Sequence, residues 1–209
     1  MKKAILIVLM LITAMCLGFG VYLLIGEIRH QKLLKEYPVS YTKTISACAE
    51  EFEQDPYLVL AMILCESSLD ADAVSNRGAI GLMQIMPDTG EWIAHKLKLD
   101  DSYRQEQLYE PAVNIRFGCW YLQFLNNRFQ GKRMEIIAAY NAGHKTVEKW
   151  LEDPQYTQDG SLTAIPYEST AAYYNRVIAA YGQYKVLYPD LFMLQDDATV
   201  VTQAPAVLY

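Results

Sequence analysis

Residues 56–65 read PYLVLAMILC, and Glu66 stands at their end. No other stretch restricts the fold as strongly. Asp55 followed by Pro56 is a helix start signal, a capping side chain and then proline at the first helical position. From Leu58 to Cys65 every side chain is apolar, and a helix that is hydrophobic all round must be buried. At about a dozen residues it is well short of the roughly 20 needed to cross a bilayer. The chain therefore builds a core around this helix, and the helix ends in a carboxylate. Burial disfavours the anion, and the partial negative charge of a helix C-terminus does the same. Both raise the pKa of Glu66 toward neutrality, as a general acid requires. A solvated Glu at the rim of the core fits the same position, so position alone assigns no role.

Downstream of Glu66, residues 67–78 contain Ser67, Ser68, Asp70, Asp72, Ser75, Asn76 and Gly78, which are loop formers. Residues 78–86, GAIGLMQIM, carry no charge. If they run extended, Leu82, Gln84 and Met86 share one face and Met83 and Ile85 the other. Gln84 is then a lone amide in an apolar strip. A buried amide must find partners, either within the protein or on a ligand.

The N-terminus carries a second apolar run. Lys2 and Lys3 precede residues 4–26, which hold no charged side chain. This is longer than the apolar region of a cleaved signal peptide, about 7–15 residues, and Ala14, Met15 and Cys16 offer no small-x-small cleavage site. Residues 1–26 read as an uncleaved transmembrane anchor. Met15 is large where a lipidated Cys16 needs a small neighbour. Residues 27–37 are charged and read as a stalk, which Pro38 ends. Lys2 and Lys3 favour an inside N-terminus, while Arg29, Lys32 and Lys35 pull the other way, so charge leaves the orientation open.

The remainder is helical by pattern. Ile45, Cys48, Ala49 and Phe52 recur at helical spacing over 41–54. Further helices are expected from Pro87 (with Trp92, Ile93 and Leu97 inward), over 111–129, 134–140, 144–151 and 169–187. Residues 152–164 are turn-rich. Residues 191–209 have no helical period and read as a weakly ordered tail. The net charge of −6, without a Lys/Arg cluster or a Gly-rich phosphate loop, excludes nucleic acid as the expected partner. Tyr is abundant, at 16 residues, which suits sugar faces as well as cores. Cys48, Cys65 and Cys119 show no zinc-ligand spacing and read as small core residues. No metal or organic cofactor is expected.

Four blocks together resemble the family 1 lytic transglycosylases, with their goose-type lysozyme-like fold: CESS at 65–68, GLMQIMP at 81–87, AAYNAG at 138–143, and Ile165 and Pro166 with Thr170 and Tyr173. They span nearly the whole segment 38–190. The resemblance implies an all-α, lysozyme-like domain over 38–190, with one short extended segment near the active site, behind a single transmembrane helix. It implies Glu66 as general acid and then base. Ser75, Gln84, Met86, Tyr140, Asn141 and Tyr173 are the residues it places against substrate, and Ser67 supports the helix end. The pair Ser169 and Thr170 departs from the family's Glu-Thr, leaving Glu168 as the nearby carboxylate.

The implied partners are peptidoglycan glycan strands and, through the N-terminal helix, the cytoplasmic membrane, with the catalytic domain outside it. The implied reaction cleaves the bond between N-acetylmuramic acid and N-acetylglucosamine with 1,6-anhydro ring closure. Ordinary glycosidases use two carboxylates. Asp70 and Asp72 read as solvated loop residues, but if either reached the site, lysozyme-type hydrolysis is the alternative. A non-catalytic peptidoglycan-binding envelope module is the other.

Overall fold

The structure, a computed structural model, describes residues 2–193. It divides after Pro38 into two compact units. The first is one unbroken helix, α1 (Lys2–Glu36). The expected stalk thus continues the anchor helix in the same hydrogen-bonded register. Its stretch Met10–Glu36 is long and apolar enough to cross a membrane. Large apolar side chains on it, among them Leu17, Phe19 and Tyr22, are exposed.

The second unit contains α2 (Thr42–Glu51), α3 (Pro56–Ser67), α4 (Pro87–Lys96), a 3-10 turn at Gln105–Tyr109, α5 (Pro111–Arg128), α6 (Arg133–Ala142), α7 (His144–Leu151), a small hairpin of β1 (Thr157–Gln158) and β2 (Ser161–Leu162), and α8 (Glu168–Leu187). The carboxylate of Asp55 accepts a bond from the Tyr57 amide at 2.9 Å and so caps α3. Its other oxygen accepts from the Tyr181 hydroxyl of α8 at 2.7 Å. Val59, Leu60, Ala61, Met62 and Ile63 are fully buried. Burying each larger aliphatic side chain contributes about 1.5–3 kcal/mol. α3 lies along α8, whose buried face is Tyr173, Val177, Ala180 and Tyr184. α6 packs against α5, α7 and α8, and α2 packs against α3 and α5.

Residues 78–86 depart from the extended reading. The amides and carbonyls of Ile80 and Ile85 exchange bonds at 3.0 Å, and the chain between them is a tight turn that puts Leu82 and Met83 side by side in the core. Near Glu66 the β structure is limited to two isolated bridges, Val74 with Ile80 and Ile80 with Ile85. The regular hairpin lies at 157–162 instead, within the stretch expected to be turn-rich.

A fully buried Asn114 on α5 imposes the turn. Its Oδ1 accepts from the Met83 amide at 2.7 Å. Its Nδ2 donates to the carbonyls of Ile80 and Leu108 at 2.9 and 2.7 Å. Gly81 has φ +76, and a Cβ there would lie 2.4 Å from the Asn114 Nδ2. Gly118 on α5 gives Met83 its space, since a Cβ there would lie 2.1 Å from the Met83 sulfur.

The last described residues are docked. The Tyr57 hydroxyl accepts from the Leu191 amide at 3.2 Å, and Phe192 packs edge-on to the Tyr57 ring at 4.9 Å. The weakly ordered tail expected from 191 therefore does not begin there. Residues 194–209 lie outside the described residues.

Candidate active site

Glu66 occupies the last turn of α3, and Ser68 closes the helix in the left-handed conformation with φ 55. The carboxyl is half-buried, and its pKa is pushed up to about 7. Burial is the main cause. The nearby Tyr173 hydroxyl and the positive charge of Arg176 pull it back down. At neutral pH a substantial fraction of Glu66 therefore carries a proton, the condition for giving one to a leaving oxygen.

Two tyrosines stand against it. Tyr140, in α6, donates its hydroxyl to the Met83 carbonyl at 2.9 Å. Burial, together with the Glu66 charge, raises its pKa well above the ordinary value, so it stays a neutral phenol. Tyr173, in α8, is also buried, and its pKa is raised the same way, first by burial and then by Glu66. The Tyr173 hydroxyl meets no partner in full hydrogen-bond geometry, yet it lies close enough to Glu66 to lower the carboxyl's pKa.

The other expected residues fall into two sets. Ser67 donates to the Leu82 carbonyl at 2.9 Å and to the Ile63 carbonyl at 3.2 Å. It ties the end of α3 to the turn that follows. Ser67, Asn114 and Tyr140 thus hold three consecutive elements of that turn from three different helices. The Ser75 oxygen accepts from the Ala79 and Arg77 amides at 3.0 and 3.3 Å, which folds its loop back on itself. Gln84 has φ 50, and its Nε2 donates to the carbonyls of Ala73 and Gly81 at 3.2 and 3.0 Å. The amide nitrogen is thus satisfied within the protein and supports a costly backbone conformation. Met86 is exposed at 40%. Asn141 is exposed, and its Oδ1 accepts from the Thr170 hydroxyl at 2.9 Å, joining α6 to the start of α8. Glu168 is exposed at that start.

Sequence reasoning passed over two residues. Arg176 lies one turn past Tyr173 on α8, and that i, i+3 spacing was the available signal for a charge beside Glu66. Asn114 gave no local signal, because one amide in an amphipathic helix reads as surface. The cysteines are thiols with no disulfide partner. Burial pushes Cys48 and Cys65 up to about 11 and Cys119 well above its ordinary value. Among the described residues, no three His, Cys, Asp or Glu side chains group closely enough to hold a metal ion.

The chain matches the transglycosylase SLT domain over residues 43–162. It belongs to that family. It is 30% identical over 155 residues to the soluble lytic murein transglycosylase of Salmonella typhimurium, covering 73% of this chain and 24% of that protein. It is 32% identical over 124 residues to membrane-bound lytic murein transglycosylase C of Actinobacillus pleuropneumoniae, covering 56% of this chain and 34% of that protein. Among solved structures it superposes on the lytic transglycosylase Slt of Pseudomonas aeruginosa, solved as an inactive glutamate-to-glutamine mutant. That match has a TM-score of 0.65 and 32% identity, over 72% of this chain and 24% of that one. The 70 kDa soluble lytic transglycosylase of Escherichia coli matches with a TM-score of 0.68 and 29% identity, over 78% and 26%. The chain thus spans about a quarter to a third of the length of these relatives.

Proposed function

We propose that this chain is a membrane-anchored lytic transglycosylase acting on the glycan strands of peptidoglycan. The observation that carries the reading is a single half-buried Glu66 with a pKa of about 7, set by burial, Tyr173 and Arg176. Asp70 and Asp72 are exposed in their loop, and the Asp70 carboxylate is engaged by the Asp72 amide at 3.0 Å. One acid without a carboxylate partner suits a reaction that needs no activated water.

In this reading the Glu66 carboxyl gives its proton to the oxygen linking N-acetylmuramic acid to N-acetylglucosamine, and the bond from the muramic C1 to that oxygen breaks. The substrate's own acetamido group stabilises the positive charge at C1. The Glu66 carboxylate then takes the proton from the C6 hydroxyl, whose oxygen bonds C1 and closes the 1,6-anhydro ring. Intramolecular attack gains from high effective molarity. The Tyr173 hydroxyl faces the acid, Tyr140 fixes the turn beside it, and Ser75, Gln84, Met86 and Asn141 form the wall along which the sugars lie. Because the substrate lies outside the cytoplasmic membrane, this reading puts the N-terminus inside and the catalytic unit outside. The likeness to membrane-bound and soluble lytic murein transglycosylases supports this reading.

The test uses the full chain purified in detergent and incubated with cell-wall sacculi, with products read by mass spectrometry. Wild type is expected to release anhydromuropeptides and Glu66→Gln to release none. Products with reducing ends overturn ring closure in favour of hydrolysis. No release by wild type overturns catalysis in favour of a binding module.

A further inference from the structure

Two buried thiols of the helical unit meet where α2 packs against α5. Cys48 is on the inward side of α2, with Ile45 and Ala49, and Cys119 is on the buried side of α5. Cys119 is fully buried and Cys48 is 7% exposed. An ion pair fixes how the two helices meet. Arg116 of α5 donates to both oxygens of Glu51 on α2, at distances between 2.6 and 3.1 Å. The same guanidinium stands over the Phe52 ring, 5.8 Å from its centroid.

From that ion pair, Cys48 lies three residues back along α2 and Cys119 three residues forward along α5. Residues three apart are neighbours on a helix face, so each thiol shares a face with its helix's half of the pair. The electrostatics agree. Burial, then the Glu51 charge, raises the Cys48 pKa, and Arg116 opposes them. Burial, then Cys48 itself, then Glu51, raises that of Cys119. The third thiol, Cys65, has Arg176 and Glu66 as its charged neighbours instead.

The spacing of packed helices suits a bond between the two. Helix axes lie about 8–10 Å apart, nearest where the side chains between them are small, as Cys48, Ala49 and Cys119 are. Cα atoms stand about 2.3 Å off each axis, so facing residues come close to the roughly 4.4–6.8 Å that a disulfide spans. No third ligand makes the pair a metal site among the described residues. A buried thiol with a raised pKa is a poor nucleophile toward solutes. What each of these thiols can reach is the other.

We infer that Cys48 and Cys119 form a disulfide, closed while the chain folds outside the cytoplasmic membrane and then sealed in the core. Both thiols lose their protons and the pair gives up two electrons as the Sγ–Sγ bond forms. The acceptor is a second disulfide, on a thiol oxidoreductase or a small molecule, which takes the electrons and protons and leaves as two thiols. Burial sets the order of events, since exchange needs access to a thiolate and the folded core denies it. The bond closes a long loop, where the constraint on the unfolded chain is large. It also joins α2 to α5, the helix whose Asn114 holds the turn beside Glu66. The oxidising compartment rests on the function proposed above; the pairing does not.

The test extracts the full chain from membranes in detergent, unfolds it without reductant in the presence of iodoacetamide, and maps its peptides by mass spectrometry. A linked Cys48–Cys119 peptide is expected, two hydrogens lighter than its separate halves, with Cys16 and Cys65 alkylated. Added reductant is expected to lower the wild-type Tm by about 5–10 °C and to leave that of Cys119→Ala unmoved. If Cys119→Ala does not fold, the wild-type map decides alone. Links to Cys65 or Cys16 in place of the Cys48–Cys119 link overturn the inference. Thiols that are free on extraction but link after refolding with oxidised glutathione support the pair and count against the extracytoplasmic placement. Thiols free in both overturn the pair.

Discussion

Glu66 and Glu135 are both withdrawn from solvent in the helical unit, Glu66 in the last turn of α3 and Glu135 in the first turn of α6. Glu135 is the more buried, at 2% exposure. It accepts the Leu162 amide at 2.8 Å, and it sits at the helix end whose free N–H groups favour a carboxylate. Trp150 and Lys132 hold the same hairpin, through bonds from the Thr157 hydroxyl at 3.0 Å and to the Gly160 carbonyl. Glu66 has the opposite setting. It lies at the helix end that disfavours an anion, and the Tyr173 hydroxyl beside it falls short of full hydrogen-bond geometry. Glu135 thus serves as a fastener between α6 and the hairpin, whereas burial leaves Glu66 with a raised pKa.

The comparison can be broken most directly through catalysis. Glu66→Gln should lower anhydromuropeptide release by roughly 10²–10⁴-fold or more, the usual contribution of a general acid. Glu135→Ala should leave kcat per folded molecule within a few-fold in the same assay. A comparable loss in both variants would erase the distinction.

The next largest effect is on stability against pH. The Glu66 pKa is raised from 4.5 to about 7 on folding, so protonation stabilises the fold. That stability is complete below about pH 4.5 and is lost as pH rises through 7. Glu66→Gln does not titrate. Its stability relative to wild type should therefore climb between pH 4.5 and 8, by an amount on the order of 3 kcal/mol at most. Denaturant melts at the two pH values measure it, and a flat difference contradicts the raised pKa.

Glu135→Ala leaves the buried Leu162 amide without its acceptor. It should destabilise the fold by about 1–3 kcal/mol, seen as a lower Tm, with the pH profile of kcat unmoved. The smallest effect is expected from Tyr173→Phe. Removing the hydroxyl that lowers the Glu66 pKa lets it rise, so the alkaline limb of kcat should move to higher pH, by about a unit or less. A shift toward acid, or none, would show that the phenol does not act on Glu66.

Much of this fold was legible in the chain because its signals are local. Asp55 and Pro56 announce α3, an all-apolar run requires burial, and Pro87 and Pro111 open α4 and α5 where they were expected. The burial of Ile45, Cys48, Ala49 and Phe52 follows from helical spacing in the same way. The 78–86 segment was not legible. Its apolar β-formers suggest extension, but Asn114, thirty-one residues beyond Met83, offers three hydrogen bonds to a tight turn, and those outweigh local preference. The hairpin at 157–162 was hidden for a similar reason, since its anchors are Glu135 on α6 and Lys132 just before it. The packing of Trp92 and His144 on Phe124 was invisible too. Trp92, Phe124 and His144 come from three helices and share no spacing.

The chain by itself determined that residues 56–65 form a buried helix and that this helix ends in a carboxyl, because periodicity, capping and the cost of exposing apolar surface act within a few residues. It also determined that residues 4–26 carry no charged side chain, a run long enough to cross a membrane. Only the tertiary structure decided what Glu66 is. Its pKa near 7 comes from burial, opposed by the Tyr173 hydroxyl and the Arg176 charge on α8, more than a hundred positions away, and no local pattern encodes which side chains will surround a given atom.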